Sequence, residues 1–343
     1  MTAKPSDTAR NSYMDFLKGI AIIAVIVGHS LSGVRSMDLL FNVIYSFHMP
    51  LLFFISAYIE EQSRDKYAGK EGRMLIRRMN GLLLPYVSWS IIYAAFGWLQ
   101  NGVSADMISG GMLKAELTAF GLKLLGYKEN GLWFFPVLFG LKIMHMLYWI
   151  ISKKTAKDTP VRDILTLLGL EIICALLAGL TKQPYMINML SYAIPYFAAV
   201  VMVKHEAVQK IADSEWLTAG VIVAYALIFP HFSFYDTGWL TQVLRIGLSL
   251  CVIVVCCRFN DNKYQRRDNC LYAALCVCGE NSLAIYVLHG FLMDYKVYFD
   301  KIDSAVITGL TSVATACVLA AVCIAIAKII GISSWWKRVL FGK

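Results

Sequence analysis

The chain has 343 residues, of which 58% are apolar and only 16% charged, where an ordinary soluble domain carries about a quarter charged. So many long apolar runs cannot be folded away beneath a water-facing surface in a chain of this size, which excludes a soluble globule and makes the bilayer the solvent. The formal net charge of +9 is spread over alternate loops between apolar runs, so it reads as membrane topology and contact with anionic headgroups, and nucleic acid is not an expected partner.

A spanning helix needs about 20 apolar residues to cross about 30 Å of hydrocarbon. The first such run, 16–34, contains Lys18 and is followed by no small-residue cleavage site, which predicts a retained helix and not a secretory signal. Lys18 and His29 are eleven residues apart, close to three helical turns, so they share a face with Ile22 and Val25 between them and lie about 16 Å apart along the axis. Asp15, one turn before Lys18, is spaced to pair with it. The second run, 39–59, carries His48 and is followed by the basic loop of Arg64, Lys66, Lys70, Arg73, Arg77 and Arg78. After the third run, 82–99, the long loop 101–131 repeats Leu113, Leu117, Phe120 and Leu124 at helical spacing. That pattern predicts an amphipathic helix resting on headgroups or forming a lid over a substrate.

The fourth run, 132–151, holds Lys142 and His145 near one end, where they either snorkel to the headgroups or face the protein interior. The fifth to eighth runs are 164–180 with Glu171, 187–203, the short 217–229, and 240–257 with Arg245. The ninth, 271–291, places Ser282 and Tyr286 on the face of His289 and Glu280 on the opposite side. The tenth, 305–330, is longer than a span needs, and Lys328 near its end is expected to snorkel. The expected fold is all-α: a polytopic membrane protein of about ten transmembrane helices, one membrane domain over 1–343 with tails at 1–15 and 331–343.

Lys and Arg sort sharply between the two sets of loops, 21 on one face against 7 on the other, which places both termini in the cytoplasm. The nine cysteines fall in or at the ends of runs, so none staples an outer loop. Cys276-x-Cys278 has the wrong spacing for structural zinc, and no two histidines sit at i, i+4 on one helix, so no metal is expected. By this topology His29, His48 and His289 occupy related depths. Each taken singly reads as a hydrogen-bonded structural group; three in related layers point towards chemistry.

Several strings carry a resemblance. The first is Asp15-Phe16-Leu17-Lys18-Gly19-Ile20 leading to Gly28-His29, and the second is Ser46-Phe47-His48-Met49-Pro50-Leu51-Leu52-Phe53-Phe54-Ile55-Ser56. Weaker echoes are Leu84-Pro85-Tyr86, Leu132-Trp133-Phe134 and the segment from Asn281 to His289. With these the chain resembles the membrane acyltransferase 3 family, which includes bacterial O-acetyltransferases of surface polysaccharides. Ala57 departs from that family's usual glycine, and Gly81 from a frequent basic residue.

The resemblance implies acyl transfer in the bacterial inner membrane, with acetyl-CoA as donor substrate, no permanently bound cofactor, and a glycan or lipid-linked sugar as acceptor. It implies His29 as the catalytic residue, and Lys18, Arg73, Arg77 and Arg78 as the donor-binding group. His48, His289, Trp133, Ser282 and Tyr286 fall in the matching segments as further catalytic or acceptor-side candidates. The residue types agree, since an imidazole titrates where a hydroxyl needs a base, and a phosphate-rich donor needs Arg or Lys at its mouth. A transporter or flippase of a glycan precursor is the alternative, because intramembrane ionisable groups suit a transport path equally. A purely structural membrane protein would leave those groups unexplained.

Overall fold

The computed structural model describes residues 12–34, 37–100, 110–125, 127, 131–153, 159–182, 184–205, 214–236, 239–258, 270–293, 299, 302 and 304–343. Among these residues every regular element is helical. In chain order they are α1 (Ser12–Leu31), α2 (Asp38–Gln62), α3 (Glu71–Arg78), α4 (Leu84–Gln100), α5 (Gly110–Leu124), α6 (Phe134–Lys153) and α7 (Pro160–Thr181). There follow α8 (Pro184–Lys204), α9 (Glu215–Ile228), α10 (Trp239–Arg258), α11 (Cys270–Glu280), α12 (Ser282–Leu288), α13 (Ala305–Ile330) and α14 (Ser334–Phe341).

The ten predicted runs are all helical, but they are not equivalent. Among the described residues six helices have the length and apolarity of a span: Ser12–Leu31, Asp38–Gln62, Glu71–Gln100, Phe134–Lys153, Pro160–Thr181 and Ala305–Ile330. The ninth run corrects the expectation of a straight helix. It breaks at Asn281 into two pieces bent by 68°, and counts as a seventh span only if the pair crosses together. Asn281 sits at φ −105°, ψ 13° and turns its side-chain amide back to donate to the carbonyl of Val277 at 2.9 Å, a local bond that competes with the helical ladder. Three apolar helices are shorter, over Tyr192–Lys204, Glu215–His231 and Leu240–Cys256. The predicted amphipathic helix of the long loop is α5; the remainder of that loop from 101 to 109 lies outside the described residues.

The third run also begins earlier than expected, because α3 and α4 are joined through a π turn at Met79–Leu83. Pro85 lacks an N–H and its ring would strike a carbonyl one turn back, and widening the preceding turn relieves both problems without ending the helix.

The chain divides into two compact units, Met1–Ile55 with Ala207–Ala327, and Ser56–Glu206 with Lys328–Lys343. In the first, α1 and α11 meet backbone to backbone. A Cβ placed on Gly19 would overlap the carbonyl of Leu275, and one on Gly279 would overlap the carbonyl of Asp15. Small residues at a crossing let main chains approach and pack along their length. The phenol of Tyr13 donates to the carbonyl of Cys256 at 2.6 Å, and Phe16 stacks on Tyr272 with centroids 4.8 Å apart, so the start of α1 is tied to both α10 and α11.

In the second unit α14 docks on the α3–α4 junction. The indole of Trp89 donates to the carbonyl of Leu340 at 2.8 Å, and Gly342, at φ 65°, lies so close that a Cβ there would sit 2.6 Å from the Cα of Gly81. The phenol of Tyr86 donates to the carbonyl of Leu124 at 2.9 Å, holding the last turn of α5 against α4 and satisfying a carbonyl the helix end leaves open.

Candidate active site

In the first unit three of the predicted residues are in one neighbourhood. His29 leaves α1 in its last turn with an exposed side chain. Gly28 before it is buried, and a Cβ there would lie 2.9 Å from Cε2 of Tyr45 and 3.1 Å from Cγ2 of Ile44. The missing side chain lets α1 close on α2 at the turn that presents the imidazole. His289, at the end of α12, is buried, and its ring centroid lies 5.4 Å from that of His29 with the planes 33° apart.

Two ring tautomers follow from the hydrogen bonds. Nδ1 of His289 is 3.0 Å from the carbonyl oxygen of Ile285, and Nδ1 of His48 is 2.7 Å from that of Ile44. A carbonyl only accepts, so in each case Nδ1 carries the proton and Nε2 of the neutral ring presents a lone pair. His48 is buried against the edge of Tyr45, 4.8 Å between centroids. Tyr45 thus touches both Gly28 and His48 and links the third histidine to the other two. Tyr286 is buried with its ring 6.1 Å from His289, while Ser282, half-buried, starts α12 one turn earlier. Lys18 and Asp15 form the pair their spacing predicted, Nζ to Oδ1 at 3.4 Å.

The remaining candidates belong to the second unit. Trp133 stacks on Tyr192, 5.5 Å between centroids. Arg73 and Arg77 are exposed, and Arg77 donates to the phenol of Tyr67 at 2.5 Å. Arg78 is committed elsewhere: Nε donates to Oε1 of Glu60 at 2.8 Å, and Glu60 also takes the ammonium of Lys142. Beside it Glu61 accepts from Nε2 of His145 at 2.6 Å, from the indole of Trp149 at 2.8 Å and from Arg64 at 3.2 Å. His145 is fully buried, with Nδ1 3.3 Å from the phenol of Tyr196. Lys142 and His145 therefore face the protein interior and do not snorkel.

Glu60 and Glu61 are the residues sequence reading missed, because they fall just past the apolar run that ends at 59 and look like the start of a loop. A signal was present on the opposite helix, where Lys142, His145 and Trp149 recur at i, i+3, i+7 and draw a polar stripe down an apolar segment. Removing Arg78 leaves the buried Glu60 with Lys142 as its remaining cation: Arg78→Ala is expected to destabilise by about 1.5–3 kcal/mol, the loss of a charged hydrogen bond. Thermal unfolding in detergent measures it, and Glu60→Ala, alone and combined with Arg78→Ala, closes a double-mutant cycle in which a pair that matters shows non-additive losses.

Beside the network, and sharing Glu61, Arg64 and Trp149 with it, is a cavity of about 470 Å³ also lined by Tyr67, Lys153 and Lys204. Its cations are compensated, Arg64 by Glu61, Lys153 by Glu71 at 2.6 Å, and Lys204 by Asp163 at 2.8 Å. Tyr67 on its wall has the guanidinium carbons of Arg77 and Arg78 at 5.9 and 5.7 Å from its ring. Aromatic faces beside exchangeable cations suit a ligand with a planar base and phosphates.

Apolar helices of spanning length make this an integral membrane protein, and its site offers an accessible imidazole beside a second one. The sequence model of the acyltransferase 3 family, an acyltransferase domain, matches residues 11–330. The chain belongs to that family and is a membrane acyltransferase. No curated protein and no solved structure matches it significantly.

Proposed function

We propose that the protein moves acetyl from acetyl-CoA to a hydroxyl of a cell-surface or lipid-linked glycan, in the bacterial inner membrane, with about ten membrane-crossing helices and both termini cytoplasmic. The observation that carries this reading is the exposed imidazole of His29 beside the buried ring of His289, 5.4 Å between centroids. An exposed imidazole is reachable by substrate, and its neighbour restricts the orientations it can take. In the direct route His29 takes the acceptor's hydroxyl proton as the oxygen bonds to the thioester carbonyl. The carbon–sulfur bond then breaks, and the thiolate leaves with that proton. In the covalent route the imidazole itself displaces the thiol and passes the acetyl to the acceptor oxygen in a second step. His289 is the positioning residue in both.

The aromatic and basic cavity of the second unit supports a donor whose nucleotide end stays there. Arg73 and Arg77 are the further cations we assign to it, and Arg78 contributes by holding Glu60. Arg77 and Arg78 should then separate. Arg77→Ala is expected to weaken coenzyme A binding about 10- to 100-fold, the loss of one charged hydrogen bond at about 1.5–3 kcal/mol, with the unfolding temperature unchanged. Calorimetry on the purified variants checks this, and unchanged affinity would leave Arg77 as topology only. The function itself is tested by mass spectrometry of surface glycans from cells with and without the protein. An added acetyl that depends on the protein supports the reading, whereas loss of the glycan from the surface without any change in its acetylation would establish transport in its place.

A further inference from the structure

Arg245 is the only charged residue between positions 239 and 257, on a helix otherwise made for an apolar setting. Its Nε is buried and has no hydrogen-bond partner. The other half-buried cations among the described residues all meet a carboxylate: Lys18 meets Asp15, Arg64 meets Glu61, Arg78 and Lys142 meet Glu60, Arg162 and Lys204 meet Asp163, and Arg258 meets Glu215. Arg245 meets no carboxylate; it lies over the face of Phe234, 5.7 Å from its guanidinium carbon to the ring centroid, and close enough to the buried His48 for its charge to act there. A ring face replaces a small part of what a guanidinium loses on leaving water, so the charge is held in place without a counter-ion. A methionine or leucine would fill the same space without that cost.

The position is also specific. The amide of Phe234 donates to Oδ1 of Asn42 at 3.0 Å, which pins this segment to α2. The ring of Phe234 lies 4.3 Å from that of Tyr45, the residue that touches Gly28 and packs on His48. Phe234 therefore contacts both the guanidinium of Arg245 and the tyrosine that packs on His48. Both Phe234 and the N-terminal part of α10 fall at the end the loop charges mark as outer, the side from which an acceptor arrives.

We propose that Arg245 is the anion-recognition group for the acceptor, taking a carboxylate or phosphate oxygen pair of the molecule whose hydroxyl is presented to His29. The planar fork of a guanidinium fits two oxygens of one anion and orients as well as attracts it. The inference rests on the acyl-transfer reading only for the word acceptor; binding of the anion is measurable without any donor.

The test uses the full chain in phosphatidylcholine nanodiscs with no acetyl-CoA present. The probes are an oligosaccharide bearing a hexuronic acid, its carboxyl-reduced neutral counterpart, and a polyprenyl phosphate. Wild type should bind one anionic probe at least about 10-fold tighter than the neutral one, and which probe does so tells a glycan carboxylate from a lipid phosphate. Arg245→Gln should erase that preference while leaving the neutral probe's affinity unchanged, and Arg245→Lys should keep part of it. Equal binding of all three probes by wild type, or a preference that survives Arg245→Gln, would overturn the proposal. So would a loss of binding to every probe that follows a fall in unfolding temperature, which would make Arg245 a packing residue. If the preference holds as predicted but adding acetyl-CoA afterwards transfers no acetyl to the bound probe, the anion site stands and the acetyl-transfer reading fails.

Discussion

His29→Ala should abolish acyl transfer, by about 10²–10⁴-fold if the imidazole acts only as a base and to background if it carries the acetyl. The fold should be untouched, because His29 is exposed at the last turn of α1 and the packing of that turn comes from Gly28 against Tyr45. His29→Gln keeps similar size and some hydrogen bonding, yet should fail equally, since an amide neither accepts a proton at neutral pH nor attacks a thioester. His48→Ala and His289→Ala serve as controls of a different kind. Both rings are buried and bonded to backbone carbonyls, so their loss should lower the unfolding temperature, and His289→Ala should in addition reduce turnover by releasing the His29 ring. Acetyl transfer and thermal unfolding in the same reconstituted preparations decide the matter. Near-normal turnover in His29→Ala would end the mechanism.

The largest effect on stability is expected at Gly279. Even alanine there would force a Cβ into the backbone of Asp15, with the carbonyl carbon 2.6 Å away and the amide nitrogen of Gly19 at 3.0 Å. A side chain can rotate aside, but a helix backbone cannot, so α1 and α11 would have to separate along the seam that holds the start of α1. Gly279→Ala should cost at least about 3 kcal/mol, and Gly279→Val should prevent accumulation in the membrane. Gly220→Ala is the comparison, since nothing lies within 4 Å of a Cβ at that position and alanine is the better helix former. If Gly279→Ala unfolds no earlier than Gly220→Ala, the close approach of α1 and α11 is not what holds the first unit together.

Much of this protein is legible one segment at a time. Apolar runs of spanning length announce helices because the bilayer allows the backbone few other ways to satisfy its polar groups. The pairing of Lys18 with Asp15, and the helix α5 inside the long loop, follow from the 3.6-residue repeat alone. Local chemistry also explains where reading falls short. The bend at Asn281 depends on one side-chain amide reaching Val277, and the π turn before α4 on the constraint Pro85 imposes; neither changes the hydropathy of its run.

Readable segment by segment, then, are the all-helical membrane character, the family strings around His29 and His48, and the shared face of α1. Which polar groups meet from one helix to another was settled by packing. Glu60 and Glu61 are adjacent to each other and more than eighty residues from Lys142 and His145 in the chain, and no periodicity within one helix encodes which other helix it will face. The same holds for His29 and His289, and for Gly19 and Gly279, which look unremarkable in their own segments. A buried charge is tolerable only beside its partner, and a glycine is required only where another backbone arrives. Both conditions are properties of the pair, and a pair distant in sequence exists only once the chain has folded.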